Sequence, residues 1–134
     1  MSEEMTAVVR RFEDCWARGD LHGAQECVHP DFEFDWSNSI GPFAGIYKGH
    51  DGLARFWDEL LETWDNFAPT AEEFISCGPD QLITVDVVRG RGRGSGIEMQ
   101  ARGVMLWTLR DGKILRTKMF QNKDDALEAV GLTG

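Results

Sequence analysis

Apolar residues recur at three- and four-residue intervals in the opening stretch. Met5, Val8, Val9, Phe12, Cys15 and Trp16 fall on one side of a helical projection, while Arg10, Arg11, Glu13 and Arg18 fall mostly elsewhere. This predicts an amphipathic helix with Ser2 as N-cap, Glu3 and Glu4 in the first turn, and Gly19 as a left-handed stop. Asp20 then caps a second short helix running to about Val28, ended by His29-Pro30. From Asp31 to Trp36 the period changes to two, with Phe32, Phe34 and Trp36 on one face and Glu33 and Asp35 on the other, as in a strand. The stretch Ser37–Gly49 carries Gly41, Pro42, Gly45 and Gly49 and reads as a loop. Asp51 opens a third helix with Leu53, Phe56, Trp57, Leu60, Leu61 and Trp64 along one stripe.

The second half reads as β-structure. Phe74–Cys77, Gln81–Arg89, Ile97–Leu109 and Lys113–Gln121 are rich in β-branched and aromatic residues and separated by turn signals, and a last helix spans Asp124–Val130. Helices segregated from consecutive strands give an α+β domain with an antiparallel sheet. If Arg110-Asp111-Gly112 forms a three-residue hairpin loop, Trp107 lies opposite Leu115, Met105 opposite Thr117, and Gly103 opposite Met119. One face then carries Gly103, Met105, Trp107, Leu115, Thr117, Met119 and Gln121, and the other Arg102, Val104, Leu106, Thr108, Arg116, Lys118 and Phe120. A two-residue Asp-Gly loop shifts the pairing by one and re-sorts these faces.

Length and charge narrow the function classes. At 134 residues, 42% hydrophobic, the whole chain (residues 1–134) reads as one domain large enough to build its own core. No run approaches the ~20 apolar residues of a membrane span, and the acidic start followed by an amphipathic pattern does not resemble a secretory signal. With 14 basic and 23 acidic residues the net charge is −9, which opposes nonspecific binding to nucleic acid or to anionic membranes. Cys15, Cys27 and Cys77 show no Cys-x-x-Cys spacing, and His22, His29 and His50 form no metal motif. The expectation is a cytoplasmic protein with reduced thiols, no metal and no cofactor. The Arg89–Gly96 run of alternating arginine and glycine lies between two strands, so neither a phosphate loop nor a dinucleotide fingerprint fits. It reads as a hairpin at the sheet edge, with anion recognition at a cavity mouth as the alternative.

Several motifs occur in order: Arg18-Gly19-Asp20 ending the first helix, His29-Pro30-Asp31 before the first strand, Tyr47-Lys48-Gly49-His50-Asp51-Gly52 opening the third helix, and Leu109-Arg110-Asp111-Gly112-Lys113-Ile114 between the last strands. From Met5 to Leu132 the chain resembles the nuclear-transport-factor-2-like superfamily in its SnoaL-like branch, named for polyketide cyclases. The resemblance implies a cone: a curved sheet with helices on its concave side and a small apolar ligand at the mouth, commonly in a homodimer. One fold hosting cyclases, isomerases, hydrolases and non-catalytic binding domains identifies no single chemistry. The places that carry acid–base groups in the ketosteroid isomerases of this superfamily fall here at Phe12, Trp36 and about Met105, so that mechanism is not implied. Arg102, with Gln100 and not an acid two residues away, likewise lacks the setting of the superfamily's epoxide hydrolases.

Five tryptophans, eight phenylalanines and five methionines suit an apolar cavity, although most large apolar residues serve as core. Phe12, Trp16, Phe34, Trp36, Trp57, Met105, Trp107, Thr117, Met119 and Gln121 are the expected ligand-binding set. Asp35 is the first candidate base, because a carboxylate among aromatics at a strand end can have a raised pKa. Strict alternation instead places it on the outer face with Glu33. Asp86, interrupting Ile83-Thr84-Val85-Asp86-Val87-Val88, is the weaker candidate: it faces either solvent or the cavity. His50 reads as a helix N-terminal surface residue, with an acid–base role at the mouth as the alternative. Two functions stand at this point. One is cofactor-independent acid–base catalysis on a small hydrophobic molecule; the other is ligand binding without catalysis. A homodimer is expected through the outer face near Arg102, Val104, Leu106 and Phe120.

Overall fold

A computed structural model describes residues 3–39 and 44–132. The expected Ser2 cap and residues 40–43 of the expected loop lie outside these. Helix α1 (Glu3–Arg18) and the short α2 (Leu21–Glu26) lead into β1 (Val28–Asp35). Strand β2 (Ile46–Lys48) precedes α3 (Gly49–Thr63), after which come β3 (Trp64–Ser76), β4 (Gln81–Gly92), β5 (Glu98–Arg110), β6 (Lys113–Phe120) and α4 (Lys123–Ala129). The six strands form one curved sheet in the order β2-β1-β6-β5-β4-β3. The α+β cone holds, but the sheet is mixed: β1 runs parallel to β6, with Phe34 beside Thr117, and the other pairings are antiparallel.

Three element boundaries differ from the sequence reading. Strand β1 starts at Val28, before Pro30, and its register against β6 breaks between Val28 and Glu33, where the missing proline N–H is tolerated. Strand β2, three residues long, lies inside the expected loop. Strand β3 begins ten residues earlier than expected, directly where α3 ends. Its first half lacks strict alternation and contains Pro69, which an edge strand accommodates. Asn66 takes a left-handed φ of 57°, between two paired stretches of that strand.

The concave face collects the main core: Val9, Phe12, Cys15 and Trp16 of α1 and Leu53, Phe56, Trp57 and Leu60 of α3 meet Phe32, Phe34, Leu82, Trp107 and Ile114 of the sheet. Helix α4 is the exception to concave packing. It lies on the opposite face, where Ala126 packs with Ile83, Val104 and Phe120. Val104 and Phe120, expected to meet a second copy, are therefore covered by the chain's own last helix.

Candidate functional site

Strand alternation builds the floor of the cone. Along β4, Leu82, Thr84 and Asp86 face inward, opposite Trp107, Met105 and Gly103 of β5. Asp86 thus points into the concave side and is 2% exposed. Above it, α1 presents Glu13, 5% exposed, whose Oε1 accepts from the Ala71 amide at 3.2 Å; Ala71 is the residue opposite Asp86 on β3. Two carboxyl groups from distant parts of the chain therefore share one apolar enclosure. Its cavity, about 40 Å³, is walled by Phe12, Trp16, Phe34, Trp36, Phe56, Phe67, Pro69, Val88, Met105 and Trp107 together with the two acids.

The electrostatics follow from burial. Desolvation, the neighbouring Asp86 charge and a hydrogen bond with it push the Glu13 carboxyl up to about 9, against the lowering by the Ala71 amide. Burial pushes Asp86 up to about 6, while hydrogen bonds with Thr84 and Glu13 favour its ionised form. Thr84 is itself held by the Trp107 indole N–H, which donates to its Oγ1 at 2.9 Å. Burial and mutual repulsion thus favour a single proton on the pair at neutral pH, with Glu13 the more strongly raised of the two. Asp86 Oδ1 has no hydrogen-bond partner. A buried acceptor left unpaired costs about 1–3 kcal/mol, and two pKa values pushed apart in one cavity are the pattern of an acid and a base.

Asp35 lies elsewhere. It is buried, but on the face away from Met105 and Trp107, beside Arg116 and Lys118 of β6. Its Oδ1 accepts from the Ser37 amide at 2.9 Å and the Ser37 hydroxyl at 2.6 Å, and its Oδ2 from Arg116 at 3.1 Å. Burial alone would raise this carboxyl, but the Ser37 and Arg116 hydrogen bonds and the Lys118 charge hold it below the usual aspartate value. This geometry does not suit a general base for the cone; alternation, which placed Asp35 outward, describes it.

Of the expected ligand-binding set, Phe12, Trp16, Phe34, Trp36, Met105 and Trp107 converge on the cavity. Trp57 lines a neighbouring cavity of about 290 Å³ that shares the Trp16 and Phe67 walls and is bordered by Arg18, Asp65 and Arg93. Thr117 and Met119 are buried on the inner side of β6, outside the cavity lining. Gln121 is exposed and bonds the Asn38 carbonyl, so it does not reach the site. His50 is exposed with its ring against the Val28 carbonyl. The arginine–glycine run belongs to a hairpin, as expected, but not at a sheet edge: it ends β4, which lies between β5 and β3, and turns into β5, with Arg91 paired with Glu98 and Arg93 with Asp65. Glu13, Phe56, Phe67, Pro69 and Val88 were not singled out by the sequence. Glu13 had a readable signal, since it stands four residues after Val9 and three before Trp16, inside the apolar stripe.

Comparison with known proteins agrees with this architecture. The model of a family described as SnoaL-like domain matches residues 9–117. An uncharacterised protein of Mycobacterium tuberculosis is 28% identical over 123 residues, covering 91% of this chain and 92% of its own. Among solved structures, TerC co-crystallised with polyporic acid superposes with a TM-score of 0.79 at 20% identity, covering 96% of this chain and 98% of that one. Rv0760c of Mycobacterium tuberculosis in complex with estradiol-17beta-hemisuccinate gives 0.75 at 20% identity, covering 90% and 95%. At these identities the structural matches speak for the fold.

Proposed function

We propose, for a chain that belongs to the SnoaL-like domain family, that the cone binds a small hydrophobic molecule and moves a proton on it without a cofactor. The observation that carries this reading is the Glu13–Asp86 pair in an aromatic enclosure, with Asp86 Oδ1 unpartnered. Polyporic acid and the steroid hemisuccinate bound by the two structural neighbours support a ligand of hydrophobic character.

In this mechanism ionised Asp86 removes a proton from carbon next to a carbonyl, and the C–H electron pair moves through the new C=C bond onto the oxygen. Returning the proton to the same or a conjugated carbon restores a neutral carbonyl compound. Glu13 stays neutral beside Asp86, keeps a second charge out of the cavity and fixes which Asp86 oxygen is free. A base with a pKa near the working pH contributes typically 10²–10⁴-fold.

The test is solvent exchange in D₂O on 2-indanone, a compact enolisable ketone. The wild-type protein is expected to accelerate replacement of its α-hydrogens, followed by proton NMR. Asp86→Asn is expected to lose at least about a hundredfold of that acceleration, and Asp35→Asn to keep it. Binding of 2-indanone without exchange in the wild type supports the other reading, a ligand-binding module without catalysis.

Association of two copies is part of the proposal, through the exposed outer face at Arg102, beside Leu106, which is half-buried against the α4 cluster. Sedimentation returning only a 15.1 kDa species at micromolar concentration contradicts it. Three unpaired thiols, Cys15 and Cys27 buried and Cys77 half-buried, are in keeping with a reducing, cytoplasmic setting. Among the described residues no helix is long and apolar enough to cross a membrane.

A further inference from the structure

The cavity wall holds a second polar atom without a partner. Trp36 Nε1 is buried and makes no hydrogen bond, although its ring lines the same enclosure as Asp86. The contrast with Trp107 on that wall is instructive: its N–H is already committed to Thr84 Oγ1 at 2.9 Å. The Trp36 ring is also confined. Phe34 meets it edge-on, with centroids 5.6 Å apart and planes at 85°, and Phe56 lies 5.0 Å away at 35°. An indole wedged between two phenyl rings cannot turn freely to find another acceptor, and a buried donor left unmade costs about 1–3 kcal/mol.

An indole N–H donates and never accepts, whereas an ionised carboxylate accepts and never donates. The two unpartnered atoms therefore ask different things of an occupant: an acceptor oxygen for Trp36 and a transferable proton for Asp86. A hydrocarbon satisfies neither. We propose that the Trp36 indole N–H holds the ligand's oxygen, which makes Trp36 the positioning residue that selects an oxygen-bearing hydrophobic molecule over its hydrocarbon counterpart. This rests on the reading of the cavity as a ligand site, but not on Asp86 acting as a base. As it stands the cavity, about 40 Å³, has room for a water, which needs roughly 10–15 Å³, and it admits a bicyclic ketone only as its aromatic walls move apart. A water on the indole is the competing occupant.

The experiment compares 2-indanone with indane, nearly the same shape without the oxygen, by protein NMR titration of wild type and Trp36→Phe. The phenyl ring keeps an aromatic wall and removes the donor together with the volume of the fused ring, a change that indane, lacking the oxygen, reports on its own. The wild type is expected to bind the ketone about five- to tenfold more tightly than the hydrocarbon, the worth of one hydrogen bond. Trp36→Phe is expected to collapse that ratio to near one while still binding indane, which shows that the cavity survives. A ratio unchanged in Trp36→Phe, no preference in the wild type, or binding of neither compound at millimolar concentration overturns the proposal. The Asp86→Asn exchange assay separates the two claims. Exchange lost in Asp86→Asn with the ratio intact in Trp36→Phe removes the indole from its role and leaves the base. Exchange unchanged in Asp86→Asn with a collapsed ratio in Trp36→Phe does the reverse.

Discussion

Glu13 and Asp86 place a pH dependence in the fold whose sign follows from proton counting. Glu13 keeps its proton to about pH 9 in the native state, against 4.5 for an unperturbed glutamate. Between those values the native protein binds more protons than the unfolded chain, so stability is full below about pH 4.5 and falls as pH rises through the window. Asp86 adds to the fall between 3.8 and about 6. Asp35 acts oppositely: its depressed pKa supplies stability above 3.8 that is lost as pH drops further. Urea denaturation at pH 5 and pH 9 is expected to show a wild-type loss on the order of 6 kcal/mol, at ~1.4 kcal/mol per unit of pKa difference, and Glu13→Gln is expected to remove most of it. At this scale the sequence was half legible. Asp86 stood out because an acid interrupts an apolar strand, whereas Glu13, although its spacing sets it in the apolar stripe of α1, was grouped with the arginines of the polar side. Only the approach of α1 to the inner face of β3 and β4 reveals that the two meet.

Secondary elements show where pattern reading succeeds and where turn geometry defeats it. The last hairpin has a two-residue loop, with Asp111 at φ 54° and Gly112 at φ 77°, and pairs Arg110 with Lys113. Such a loop alone would have put Met105 and Trp107 on the wrong face relative to Thr117 and Met119. A register shift between Thr108 and Leu109 restores the sorting, so that Trp107 faces Thr117 and Met105 faces Met119. The expected inner face therefore survives through a bulge that no residue pattern announced, with Leu115 as the extra residue. Helix α4 was correctly placed along the chain but not in space, because the few apolar positions of a seven-residue helix do not say which side of a sheet it covers. Its cap is testable: Asn122 accepts from the Asp125 amide at 2.9 Å. Asn122→Ala is expected to cost about 1 kcal/mol in urea denaturation and to leave α-hydrogen exchange on 2-indanone unchanged, since α4 lies opposite the cavity.

For the molecule as a whole, helices and strands in this order indicated an α+β domain, the family resemblance of the ordered motifs implied the cone, and the apolar stripes identified most of its aromatic wall. The parallel β1–β6 contact was not legible, because it joins strands more than 70 residues apart and depends on how the sheet curls. That same contact sets Phe34 beside Thr117, and Trp36, one residue past the strand end, meets Phe56 of α3, so the cavity is a product of topology as much as of composition. The account depends most on one electrostatic statement, that a single proton resides on the Glu13–Asp86 pair at neutral pH. Carboxyl carbon-13 NMR of the ligand-free protein, titrated from pH 4 to pH 10, with Glu13→Gln and Asp86→Asn to assign the resonances, reads it directly. The account predicts one buried carboxyl titrating near 6 and the other near 9; both titrating below about 5, as ordinary carboxyls do, would contradict it.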